Sequence, residues 1–152
     1  MNAKNVILGY EAAEHLVEGD IVKLNTSGKL VKVAAVEATD AIGIVVSNGS
    51  AIDSDVTGKM VSVLIEGVAT VRVLVEDTDG ASGYDKAIVR GDQLVISGKT
   101  SGTYVVGQAL SAVGGTAQAT SVCGMVVGKA LEAVAGSASA DTYATLKAYV
   151  RF

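Results

Sequence analysis

The chain has 152 residues, with 12 Lys and Arg against 16 Asp and Glu, a net charge of −4, 18 Gly, no Pro, no Trp and one Phe. An acidic balance without a basic cluster argues against nucleic acid as a partner. One cysteine excludes an intramolecular disulfide, and the absence of an apolar run of about 18 residues excludes a transmembrane helix. A single domain is expected at this length, burying roughly 68–70% of its unfolded surface in a core of aliphatic side chains.

In chain order, residues 1–9 carry one positive charge and an apolar core too short for a secretory signal. Val6-Ile7-Leu8 stops at Gly9, and residues 10–16 leave room for a short helical turn, so residues 1–16 read as an N-terminal arm. Strands are expected over residues 20–25, 30–36 and 42–47, the middle one alternating at Val31, Val33 and Ala35. Asn48-Gly49 is a strong turn dipeptide. Residues 61–65 and 68–75 alternate around Glu66-Gly67, which predicts a hairpin or one strand kinked at the glycine. Residues 77–83 are polar and glycine-rich, a loop. Residues 84–90, 93–97, 104–110, 123–133 and 144–152 complete the strands, with Gly114-Gly115 and residues 135–140 as connections.

One pattern is written twice. Glu18-Gly19-Asp20-Ile21-Val22, a Ser27-Gly28-Lys29 turn and Thr39-Asp40-Ala41-Ile42-Gly43 are followed later by Arg90-Gly91-Asp92-Gln93-Leu94, Ser97-Gly98-Lys99 and Thr120-Ser121-Val122-Cys123-Gly124. Strands with turn signals at this spacing define an all-β class: a small β-barrel or β-sandwich with an internal pseudo-repeat and an extended N-terminal arm. Residues 17–152 read as one β domain with related halves at about 17–75 and 84–152.

The chemical motifs dissolve under their spacing. Ser97-Gly98-Lys99-Thr100 resembles the end of a phosphate loop, but Gln93 stands where its first glycine belongs, and a strand rather than a helix follows. Arg90-Gly91-Asp92 spells a receptor-recognised tripeptide, yet Glu18-Gly19-Asp20 occupies the matching point of the other copy, which favours a tight turn. Asp77-Thr78-Asp79-Gly80 fails the EF-hand register, because Val75 and Lys86 would be its first and last ligands; incidental calcium binding there or at Asp53-Ser54-Asp55 stays open. His15 is the only histidine, and Cys123 sits in an apolar strand where an inert thiol is usual. No metal, no cofactor and no catalytic residue is expected. Residues 100–128 carry no charge at all, which fits either buried core or a surface facing another protein.

Glu18-Gly19-Asp20-Ile21-Val22, Ala41-Ile42-Gly43-Ile44-Val45 and Val61-Ser62-Val63-Leu64-Ile65-Glu66-Gly67-Val68, followed by Gly91-Asp92 and Gly124-Met125-Val126-Val127, resemble in order and spacing the capsid cement, or head decoration, proteins of tailed bacteriophages. The resemblance spans residues 16–152 and rests on glycine and aliphatic positions. It implies a non-enzymatic all-β protein, made in the host cytoplasm and carried on the outer capsid surface of the virion. It further implies a homotrimer that bridges and stabilises major capsid protein subunits, without nucleic acid or membrane as partner. The arm residues Asn5, Val6, Ile7 and Leu8 are the expected partner-binding segment, adding a strand to a neighbour's sheet edge. Three other readings stay open. They are a β-barrel ligand-binding or adhesin module, a small enzyme using Cys123 or a carboxylate, and a lipoyl-type carrier at Gly58-Lys59-Met60.

Overall fold

Alternating valines and isoleucines between glycine- and Asx-based turns leave strands as the one way to bury this composition. The computed structural model describes residues 5–33, 40–46, 55–75, 87–96, 109–111, 126–136 and 143–152. Among the described residues there is no helix. The described residues form nine strands, in order β1 (Val6–Glu11), β2 (Ile21–Leu24), β3 (Leu30–Lys32), β4 (Gly43–Val46), β5 (Met60–Leu74), β6 (Gln93–Ile96), β7 (Ala109–Ser111), β8 (Val126–Ala130) and β9 (Tyr143–Arg151). They form one curled, mostly antiparallel, barrel-like sheet.

The pairing path closes twice. In the first half, β3, β2, β4, β5 and β1 follow one another, and a parallel bridge between Ala12 and Leu30 links the end of β1 back to β3. In the second half β7, β6, β8, β9 and β5 do the same, and the parallel pair Val73 with Ala109 closes the ring. Strand β5 belongs to both rings, as last strand of the first and first strand of the second.

The duplication holds residue by residue. The Val17 amide donates to Asp20 Oδ2 at 2.9 Å and the Val89 amide to Asp92 Oδ2 at 3.0 Å. The Gly19 amide donates to the Val45 carbonyl and the Val45 amide to the Asp20 carbonyl, as the Gly91 amide donates to the Ala130 carbonyl and the Ala130 amide to the Asp92 carbonyl. Ile21 opposite Ile44 and Val22 opposite Gly43 thus match Gln93 opposite Lys129 and Leu94 opposite Gly128. Gly128, and not Gly124, is therefore the counterpart of Gly43. The reason is steric: a Cβ on Gly43 would lie 2.7 Å from the Leu64 carbonyl oxygen, and one on Gly128 3.0 Å from Val150 Cα, so both strands need a bare backbone there.

One further expectation is corrected and one choice is decided. The helical turn over residues 10–16 is absent, because Tyr10 and Glu11 continue β1 opposite Val61 and Met60, and Ala12 bridges to Leu30. The arm is thus a strand of the chain's own sheet. Of the two alternatives for residues 61–75, the single strand forms: β5 runs through Gly67, whose φ of 139° an L side chain rarely adopts. The Ser27-Gly28-Lys29 turn forms, its two amides at Ser27 and Lys29 donating to Asn25 Oδ1. Its partner Ser97-Gly98-Lys99, the Asn48-Gly49 turn and the segments 77–83 and 112–125 lie outside the described residues.

Two apolar clusters hold the sheet. Ala12, Leu16, Val22, Leu30, Val45, Val56, Val61 and Val63 fill the first ring. The second cluster joins the second ring's interior, including Val71, Val73, Ile88, Leu94, Leu146 and Val150, to Ile21, Ile44 and Leu64 from the outer face of the first. The outer face of one half therefore covers the mouth of the other, and β4 is buried on both sides. At roughly 1.5–3 kcal/mol per fully buried aliphatic side chain, these clusters outweigh the exposed ion pairs Lys23–Asp40 at 3.0 Å and Lys29–Glu11 at 2.6 Å, each worth about 0–1 kcal/mol.

Candidate functional site

Position-by-position comparison of the halves separates residues the fold consumes from residues it leaves to solvent. Buried Ile21, Ile44 and Leu64 match Gln93, Lys129 and Tyr149, all exposed. The turn at Gly19-Asp20 is buried, whereas the turn at Gly91-Asp92 is not. Ile7 opposite Leu64 corresponds to Val68 opposite Tyr149, and Leu8 opposite Val63 to Ala69 opposite Ala148.

The junction between the halves is incompletely filled. A cleft of about 270 Å³ lies between Asn5, Ile7, Glu18, Val46 and Leu64 on one side and Val68, Ala69, Thr70 and Lys147 on the other. Asn5 reaches it because Gly67 has no side chain: a Cβ there would collide with the Asn5 side chain. Of the four expected partner-binding residues, Asn5 and Ile7 line this cleft. Val6 and Leu8 are exposed on the same strand. All four backbones are engaged beside β5 or Gly67, so these residues offer side chains, not a free arm. Val68, Val89, Leu131 and Tyr149 are also large, exposed and hydrophobic. They match Ile7, Val17, Val46 and Leu64 of the first half, of which Leu64 is buried, so the repeat alone does not say which copy meets solvent.

The polar groups near these surfaces serve the turns. Asp92 spends a carboxylate oxygen on the Val89 amide, so the Arg90-Gly91-Asp92 tripeptide does not present an extended aspartate. Asp20 is buried, with Lys32 Nζ at 3.8 Å. Asp55 accepts from the Thr57 hydroxyl at 2.6 Å and its amide at 2.9 Å. Those bonds, helped by the His15 and Lys59 charges, hold its carboxyl below the usual range. His15 Nδ1 stands 3.9 Å from Asp55, both in solvent. The Tyr149 hydroxyl donates to Glu66 at 2.8 Å, which raises its pKa because ionisation would place two anions together. Lys59 follows the turn at Gly58 and is exposed. Among the described residues no group of three His, Cys, Asp or Glu side chains is placed to hold a metal. Cys123, Asp53 and Asp77-Thr78-Asp79-Gly80 lie outside the described residues. No protein-family model matches this sequence, and no curated protein matches it.

Proposed function

We propose that this chain is a non-enzymatic structural protein that binds the outer surface of an assembled phage capsid, bridges neighbouring major capsid subunits and associates with itself as a trimer. The observation that carries the reading is the exposed apolar strand Val6-Ile7-Leu8, set on a sheet whose repeated residues are spent on turns and close packing. A protein that binds the assembled lattice and not free subunits stabilises the lattice by mass action. Exposed aliphatic side chains on a rigid strand supply the surface to do so.

Co-sedimentation with undecorated heads tests it. Binding should saturate, and the Ile7→Lys/Leu8→Glu double variant should lose it while melting like the parent protein. Deleting residues 1–9 is a poorer test, because it removes β1 from the sheet. A failure of the folded parent to bind heads of any decorated phage would end the shell reading. The cleft beside Lys147 favours a second reading, a ligand-binding or adhesin module. Saturable glycan binding that disappears in Lys147→Ala would support that one instead.

A further inference from the structure

The cleft between the halves carries two opposite charges that the fold does not use. Glu18 comes from the first half and Lys147 from the second. Among the described residues neither side chain has an ion-pair partner, and the two do not pair with each other. Glu132 meets Lys147 through its backbone amide, at 2.9 Å, and not through its ammonium. The matching positions in the other copy hold Arg90 and Ser62, so neither the turn nor the strand requires these charges. The rest of the lining is largely aliphatic, with Leu64 buried and Ile7 and Val68 exposed. Asn5 and Thr70 add neutral hydrogen-bonding groups.

We propose that this cleft binds a small zwitterion with an aliphatic body, a free α-amino acid of the leucine type. Its ammonium meets Glu18, its carboxylate meets Lys147, and its side chain lies on Leu64, Ile7 and Val68. The proposal rests on the ligand-binding reading of the cleft and names the class of ligand. Charge selects that class. A neutral sugar would leave both charges unmatched, an anion would face Glu18, and a cation would face Lys147. Size agrees: about 270 Å³ is just below the roughly 300–1,000 Å³ of sites for drug-sized ligands, which suits one amino acid and not a peptide or an oligosaccharide. Both charges stand in solvent, so each ionic contact adds little and the complex is weak.

Titration of the isotope-labelled parent protein with L-leucine, followed by NMR amide shifts, tests the proposal. The shifts should saturate and cluster at Val46, Val68–Thr70 and Lys147. Leucinamide lacks the carboxylate and N-acetyl-leucine lacks the ammonium. Each should bind about fivefold more weakly, the upper range for an exposed ion pair. Glycine keeps both charges without the aliphatic body and should also bind more weakly than leucine. Lys147→Met should remove the preference for leucine over leucinamide, and Glu18→Gln the preference over N-acetyl-leucine, with both variants melting like the parent. The proposal is overturned if leucine gives no saturable shift up to its solubility limit, if both analogues bind as well as leucine, or if the preferences survive in the two variants. A glycan that saturates the cleft where leucine does not would sink the zwitterion and keep the ligand-binding reading; if neither binds, both fall. Co-sedimentation with heads scores the shell reading separately.

Discussion

Replacing Gly128 with alanine should be among the most damaging small changes available to this chain. The new methyl would lie 3.0 Å from both the Tyr149 carbonyl carbon and Val150 Cα, and closer still to the Tyr149 oxygen, where ordinary contact begins at 3.4 Å. These are backbone atoms of β9, so no rotamer change relieves the clash, and the ladder pairing Gly128 with Val150 and Lys129 with Tyr149 must open. Overpacking costs about 1–3 kcal/mol; with backbone on the other side the upper figure applies, about 3 kcal/mol. At about 2–4 °C per kcal/mol for a domain of this size, the melting midpoint should fall by roughly 9 °C. Gly28→Ala is the control: its φ is +74° but nothing lies within 4 Å, so only backbone strain of about 1 kcal/mol is added. Calorimetry of the two variants decides. Gly128→Ala melting at or above Gly28→Ala would refute the claim that Gly128 is fixed by close approach.

Asp20→Ala should cost about 2 kcal/mol in urea denaturation, since it strips a part-buried amide of its buried acceptor and leaves Lys32 without its neighbour; the solvated counterpart Asp92→Ala should cost about 1 kcal/mol or less. Gly67→Ala should cost about 2 kcal/mol and expel Asn5, seen as faster hydrogen exchange at the start of β1. Tyrosinate absorbance should show Tyr149 ionising later than an ordinary tyrosine, and Glu66→Gln should bring it back. The sign follows from linkage: with its folded pKa raised, the Tyr149 contribution is complete below the unfolded value near 10 and is lost as pH rises through the folded one.

Strand positions were legible because alternation such as Val61, Val63 and Ile65 leaves a sheet no other register. The duplication was legible too, from its Gly-Asp turns. What misled was matching letters instead of bonds: aligning Thr39 with Thr120 sets Gly43 against Gly124, four residues short of the Gly128 that the ladder puts there. A helical turn over residues 10–16 was a fair local expectation, but pairing of Tyr10 with Val61 overrode it, as tertiary partners commonly override propensity. The surface could not be read in advance. Whether Leu64 or Tyr149 meets solvent depends on which half covers the other, and both sit at the same place in equivalent strands.

Because β5 finishes one ring and begins the other, the order in which the chain leaves the ribosome matters. The first ring has all its strands once residue 74 has emerged, but the second waits for β9, whose Arg151 pairs with Glu66 across most of the chain. Contacts this distant in sequence form slowly. Until they do, the C-terminal half of β5, rich in valine, lacks its longest partner, and an unpaired apolar edge invites other chains. Fast synthesis at high concentration is where this strand most needs β9 to arrive promptly.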